Sequence, residues 1–187
     1  MISLGEIERI ARLLFKQNSK LSSWSLLLLI EISKNSEWQK LRDVVNRIYP
    51  GKSYSDSFIF KPLVENQLIQ MRKTKSTTSQ FDSWEVKLAQ GIHLLDDDIF
   101  DVPVVNKLAS MSQTYMRSYS RTSNLLMLVL IAIVVRKLPT TNEIFRFCQA
   151  KHRTEDKIIC RLADLGFIQL VKTDDYKKSS VAIFEVE

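Results

Sequence analysis

Two clusters of basic and hydroxyl side chains point to one chemistry, the gripping of phosphates. The first runs Lys52, Ser53, Tyr54, Ser55, Ser57 and Lys61, followed by Arg72, Lys73 and Lys75. The second runs His152, Arg153, Thr154, Lys157 and Arg161, followed by Lys172, Lys177 and Lys178. Cationic side chains displace counterions from a phosphate backbone, and hydroxyls add hydrogen bonds to phosphate or to base edges. The second cluster is less uniform, because Glu155 and Asp156 sit among its cations. An acid there can accept from a cytosine amino group, but it repels phosphate. Both acids also suit the positive end of a helix dipole, so a protein-facing helix remains an alternative.

Other chemistries find little support. His93 and His152 are the two histidines, and they lie in different halves of the chain. No G-x-x-x-x-G-K-[ST], HExxH or G-x-S-x-G pattern is present. Asp96-Asp97-Asp98 cannot converge on one ion from a helix, since neighbours point about 100° apart. No catalytic residue, metal site or cofactor is therefore expected, and the chain reads as non-enzymatic. Cys148 and Cys160 belong to no CxxC pair or Cys/His cluster. They read as buried free thiols on helices, with a disulfide between them left open. That cysteine usage points to a reducing compartment, the cytoplasm, with the nucleoid or a nucleus as the DNA-associated options.

Charge agrees with a polyanionic partner without demanding one: 27 basic against 21 acidic residues give a net charge of +6. The longest apolar run, Leu125 to Val135, has eleven residues, whereas a membrane span needs about 20. It reads as a buried core helix, and no membrane partner is expected. Glu6 and Glu8 near the start argue against a basic-then-apolar leader.

What positions the two clusters is a repeat. At a shift of 99, Leu63, Ile69, Gln70, Lys73 and Thr74 recur as Leu162, Ile168, Gln169, Lys172 and Thr173. Trp84-Glu85-Val86 closes the first copy much as Phe184-Glu185-Val186 closes the second. The spacing predicts the same module twice, each with a helix, a turn, a strand, a basic polar loop and a return strand.

Capping patterns and apolar periodicity supply the elements. Ser3-x-x-Glu6 opens an amphipathic helix over 3–17, with Ile7, Ile10, Ala11 and Leu14 on one face. That face needs the first module or a second subunit. A core helix from about Trp24 to Asn35 follows. Ser36-Glu37-Trp38-Gln39 reads as a second capping box, before a helix with Leu41, Val44, Val45 and Ile48 inward. A third helix covers about 55–66, with Phe58, Ile59 and Leu63 inward and Pro62 bending or shortening it. Strands are expected at 68–73 and 84–88. In the second half the order repeats. A core helix covers 124–137, and Thr140-x-x-Glu143 caps the next, with Ile144, Phe147 and Cys148 inward. Thr154 is the expected N-cap of a helix whose stripe is Ile158, Ile159, Leu162 and Leu165, with Gly166 at C′. Strands are expected at 167–173 and 181–187. Between the modules, Val104, Val105, Leu108, Met111, Tyr115, Met116 and Tyr119 have the spacing of one long helix. A short helix ending at Asp96–Asp98 precedes it.

Three helices followed by a two-stranded hairpin resemble the winged-helix fold. Arg161-Leu162-Ala163-Asp164-Leu165-Gly166-Phe167-Ile168 resembles the end of the recognition helix and the start of the wing in winged-helix regulators. The stretch from Trp84 through Gly91 to Leu95 is similar to the region after the wing in MarR- and PadR-like regulators, with Ala89 where Thr is usual. The resemblance implies a mainly α chain with small β-hairpins (α+β): two winged-helix domains in tandem, joined by a helical connector. The divisions would be 1–20, an N-terminal amphipathic helix; 21–95, the first domain; 96–121, the connector; and 122–187, the second domain. It implies duplex DNA as partner and transcriptional regulation as role, with the clusters above on third helices and wings. The alternative is a tandem adaptor for a protein in a segregation, replication or transcription complex, as in kleisin-binding condensin subunits. A homodimer through 3–17 or 103–120 is a further option.

Overall fold

A computed structural model describes residues 1–17, 22–50, 57–74, 83–92, 101–119, 124–150, 154–172 and 181–185. The chain divides into two compact units, Met1–Val105 and Asn106–Glu187. It is mainly helical, with small antiparallel sheets.

The first unit holds α1 (Leu4–Lys16), α2 (Ser22–Ser33), β1 (Gln39–Lys40), α3 (Leu41–Ile48), α4 (Ser57–Glu65), β2 (Ile69–Thr74) and β3 (Ser83–Leu88). α2 is its hub and packs against α1, α3, α4 and β3. Leu26 to Ile30 and Ile32 are all buried, so the middle of α2 is apolar all round, as a central helix must be. Two serines on this helix satisfy backbone groups of neighbouring segments. Ser25 donates to the Ile59 carbonyl of α4 at 2.7 Å, and Ser33 accepts from the Ile2 N–H at 3.0 Å. α1 is capped as expected, Ser3 Oγ accepting from the Glu6 N–H at 3.3 Å. Its stripe of Ile7, Ile10, Ala11 and Leu14 is buried on the α2 side, so the first unit itself covers that face. The end of α1 is tied to the end of α4 by a reciprocal amide pair, Gln17 with Asn66, at 2.9 and 3.0 Å.

Two expectations in this unit are corrected. Ser36-Glu37-Trp38-Gln39 is not a capping box: β1 takes Gln39 and Lys40, pairing with Val86 and Glu85, and the helix starts at Leu41. Gln39 instead donates to the Ile32 carbonyl at 2.9 Å and accepts from Arg47 at 2.8 Å. Pairing with β3 overrides a local pattern that is itself only four residues long. In α4, Phe60 and Leu63 are buried while Ile59, expected inward, is half-buried; the side chain of Phe58, also expected inward, lies outside what is described. Pro62 lies inside α4, and its carbonyl accepts from both the backbone and side-chain N–H of Asn66.

α5 (Asp101–Ser118) follows, and the boundary between units falls within it. Val105, Leu108, Met111, Tyr115 and Met116 on its stripe are buried within the single chain. The expected acidic helix end at 96–98 lies outside the described residues, as does the expected loop at 174–180; of the polar loop expected over 74–83, Thr74 ends β2, Ser83 begins β3, and 75–82 lies outside the described residues.

The second unit continues with α6 (Leu126–Leu130), which passes into a π-helical turn at Ile131–Val135. Leu125 to Val134 are buried, as expected of a core helix, and no helix among the described residues is long and apolar enough to cross a membrane. α7 (Thr141–Cys148) is capped by Thr140, which accepts from the Glu143 N–H at 3.3 Å and donates to the Glu143 carboxylate at 2.8 Å. α8 (Thr154–Asp164) buries Ile158, Ile159 and Leu162, and the hairpin β4 (Ile168–Lys172) and β5 (Val181–Glu185) follows. Thr154 is the first residue of α8 rather than the residue before it. Cys148 is buried but Cys160 is exposed, and no disulfide joins them. Cys160 takes the outer side of α8 because the inner side is filled by its neighbours Ile158, Ile159 and Leu162.

The register refines the repeat. Met71 pairs with Val86 and Leu170 with Ile183, so Val86 corresponds to Ile183. Matching Trp84-Glu85-Val86 to Phe184-Glu185-Val186 is therefore out of step with the strand pairing, although Leu63/Leu162 and Ile69/Ile168 correspond and are buried in both units.

Candidate nucleic-acid interface

The hairpin of the first unit carries two adjacent cross-strand pairs. Arg72 lies opposite Glu85 and Lys73 opposite Trp84. Side chains alternate across a strand, so the two pairs project from opposite faces. Lys73 and Trp84 share the face of Ile69, Met71 and Val86, beyond the point where the core ends. Trp84 is 42% exposed there, and the Lys73 ammonium lies 5.2 Å from its ring centroid. A cation beside an apolar ring offers phosphate attraction together with a surface for a sugar or base.

Arg72 is placed differently. Its Nε and Nη2 donate to Glu85 Oε2 at 2.8 and 2.7 Å, and its guanidinium lies 4.3 Å from the Trp38 ring centroid. Arg72, expected to reach phosphate, is thus ion-paired across its own sheet while half of its side chain stays exposed. On α4, Lys61 is exposed and lies 3.6 Å from Glu65, one turn on. Such a solvated pair is weak and exchanges readily for another anion. Ser57 is the first residue of α4. Val64, on the same helix, is 46% exposed. Lys52, Ser53, Tyr54, Ser55 and Lys75 lie outside the described residues.

In the second unit Lys157 is exposed on α8. Arg161, expected beside it on an outward face, is half-buried against α5. Its guanidinium stacks 4.4 Å from the Tyr119 ring centroid, and Nη1 reaches the Tyr115 hydroxyl at 3.5 Å. The two tyrosine rings lie 5.0 Å apart. Burial raises the Tyr115 phenol above its ordinary value, and the opposing pull of Arg161 does not cancel this. The planar guanidinium finds an aromatic surface and a hydroxyl nearer than solvent, which is why it turns inward. Thr154 begins α8 and Lys172 ends β4. His152, Arg153, Lys177 and Lys178 lie outside the described residues.

The structure thus brings Lys73 together with Trp84, while it assigns Arg72 and Arg161 to internal contacts. Trp38, Glu85, Tyr115 and Tyr119 are the partners that spacing alone did not single out as part of the site. The alternation of β2 against β3 carries the signal for Arg72 and Glu85, but reading it requires the register. In a comparison with family models, curated proteins and solved structures, none matches the chain.

Proposed function

We propose that each unit is a winged helix and that the chain binds duplex DNA, chiefly through the first unit, as a transcriptional regulator. The fold part of this reading rests on element order. In the first unit a helix, a short strand, two helices and a hairpin follow one another, and the strands run β1-β3-β2, all antiparallel. In the second unit α6 to α8 and β4–β5 repeat the order, with the isolated bridge residue Thr140 standing before α7 where β1 stands before α3.

The observation that carries the DNA part is the exposed Lys73–Trp84 pair on the hairpin. Together with the exposed Lys61 on α4, it gives the helix and the hairpin one cation each for neighbouring stretches of backbone. Fluorescence anisotropy with a labelled duplex at two salt concentrations tests the reading. Binding is expected to weaken with salt, and Lys73→Ala to weaken it for every sequence and to reduce the salt slope by about one. No binding at low salt, or binding indifferent to salt, would overturn it.

A second reading, an adaptor that grips a protein, is favoured by the second unit. Arg161 is committed to Tyr119, and the exposed Lys157 of α8 follows the acidic Asp156. A stoichiometric protein partner in a pull-down, with no DNA shift, would decide for it.

A further inference from the structure

We infer that Arg72 is a positioning residue, which clips the β2–β3 hairpin to the body of the first unit and so fixes where Lys73 and Trp84 are held. The inference rests on the DNA reading for its consequence, though not for its geometry. The base of the hairpin packs on α2, α3 and α4, but Lys73 and Trp84 lie beyond that core, and the third strand, β1, contributes only Gln39 and Lys40, paired to Val86 and Glu85. Arg72 sits on β2, Glu85 on the middle strand β3, and Trp38 immediately before β1. One side chain therefore links β2, the middle strand and the residue leading into β1, on the face opposite Lys73. Its donors meet Glu85 Oε2 at 2.8 and 2.7 Å, and its guanidinium carbon lies over the half-buried Trp38 ring, 4.3 Å from the centroid. The pairing also neutralises Glu85, a carboxylate that would otherwise repel phosphate near the hairpin. A guanidinium can donate twice and stack flat at the same time, whereas an ammonium keeps the charge but loses that combination.

Two variants that leave net charge unchanged separate positioning from phosphate contact: Arg72→Lys and Trp38→Leu. Each is expected to weaken duplex binding about ten-fold, equivalent to about 1.4 kcal/mol, with the salt slope unaltered. In both, the β2–β3 amides are expected to exchange hydrogen faster than in the parent. If Arg72→Lys binds like the parent, or if Trp38→Leu leaves both affinity and exchange untouched, the clip is wrong. The same holds if Arg72→Ala lowers the slope by about one while Arg72→Lys restores affinity, since that is the behaviour of a phosphate ligand. If the parent itself does not bind duplex DNA, the DNA reading falls. Exchange then judges the clip alone: faster hairpin amides in both variants sustain it, and unchanged amides overturn it.

Discussion

Gln67 and Gly166 hold the same place in the two units, and both are left-handed, with φ of +54° and +76°. Around each, the hydrogen bonds match one for one. Gln67 N–H reaches the Val64 carbonyl at 3.0 Å and Leu68 N–H the Leu63 carbonyl at 2.8 Å. Gly166 N–H reaches the Ala163 carbonyl at 2.9 Å and Phe167 N–H the Leu162 carbonyl at 3.0 Å. This is the paired closure that ends a helix by a left-handed residue and starts the strand that follows. A side chain at such a position costs about 1–2 kcal/mol, offset in part by the larger entropy glycine loses on folding. Gln67→Gly is therefore expected to stabilise the first unit by about 0.5–1 kcal/mol, a rise in melting temperature of a few degrees. Gly166→Ala should destabilise the second unit by a comparable amount. A Cβ there meets nothing within 4 Å, so backbone conformation alone sets the cost. Thermal unfolding of the two variants checks both signs.

Leu63 and Leu162 are the buried residues whose carbonyls receive those bonds, and each is fully excluded from solvent. Each locks its helix, α4 or α8, onto its own unit. Leu63→Ala and Leu162→Ala are each expected to cost about 2–5 kcal/mol by denaturant titration. Hydrogen exchange should show the loss confined to the unit that carries the substitution. A loss spread evenly over both units would mean that they unfold as one.

Three helix ends were legible because each is a local matter. Ser3, Thr140 and Gly166 cap or close their helices where a few neighbouring residues suffice to decide it. β1 was not legible, because a two-residue strand exists only through its pairing with Val86 and Glu85, some 45 residues away. The left-handed Gln67 was equally hidden, since nothing in a glutamine announces positive φ; only its alignment with Gly166 does. The candidate site divides in the same way. Charge and position picked out Lys61, Lys73 and Lys157, which are exposed. Arg72 is exposed as well, but it and the half-buried Arg161 are drawn to Trp38 and Tyr119, which tertiary packing brings near.

Glu31, at the end of α2, shows how acid should act on the first unit. Burial pushes its carboxyl up, but hydrogen bonds from Lys34 and Arg47, both at 2.6 Å, outweigh burial and hold it below the ordinary carboxylate range. A carboxyl lowered in the folded state adds stability above its unfolded value, about 4.3 for glutamate, and that stability is lost as pH falls through the folded value. Melting temperature is therefore expected to drop more steeply with acid below about pH 4.3 in the parent than in Glu31→Gln. Equal slopes would show that the ion-paired cluster contributes nothing to the pH dependence.

Tyr115 predicts the opposite limb for the second unit. Its phenol is raised by burial, against a smaller lowering from Arg161, so the neutral form is favoured on folding. The unfolded chain ionises first, near the ordinary tyrosine value of about 10. The contribution is thus complete below that pH and disappears as pH rises through the folded value. Tyr115→Phe should flatten the alkaline loss of stability, and tyrosinate absorbance should show one late-titrating residue in the parent that the variant lacks. Arg161→Lys should move the same titration upward, because the flexible ammonium no longer holds a donor at the phenol while stacked on Tyr119. If Arg161→Lys leaves that titration where it is, the guanidinium does not govern the phenol, and the inward turn of Arg161 must be ascribed to its stacking on Tyr119 alone.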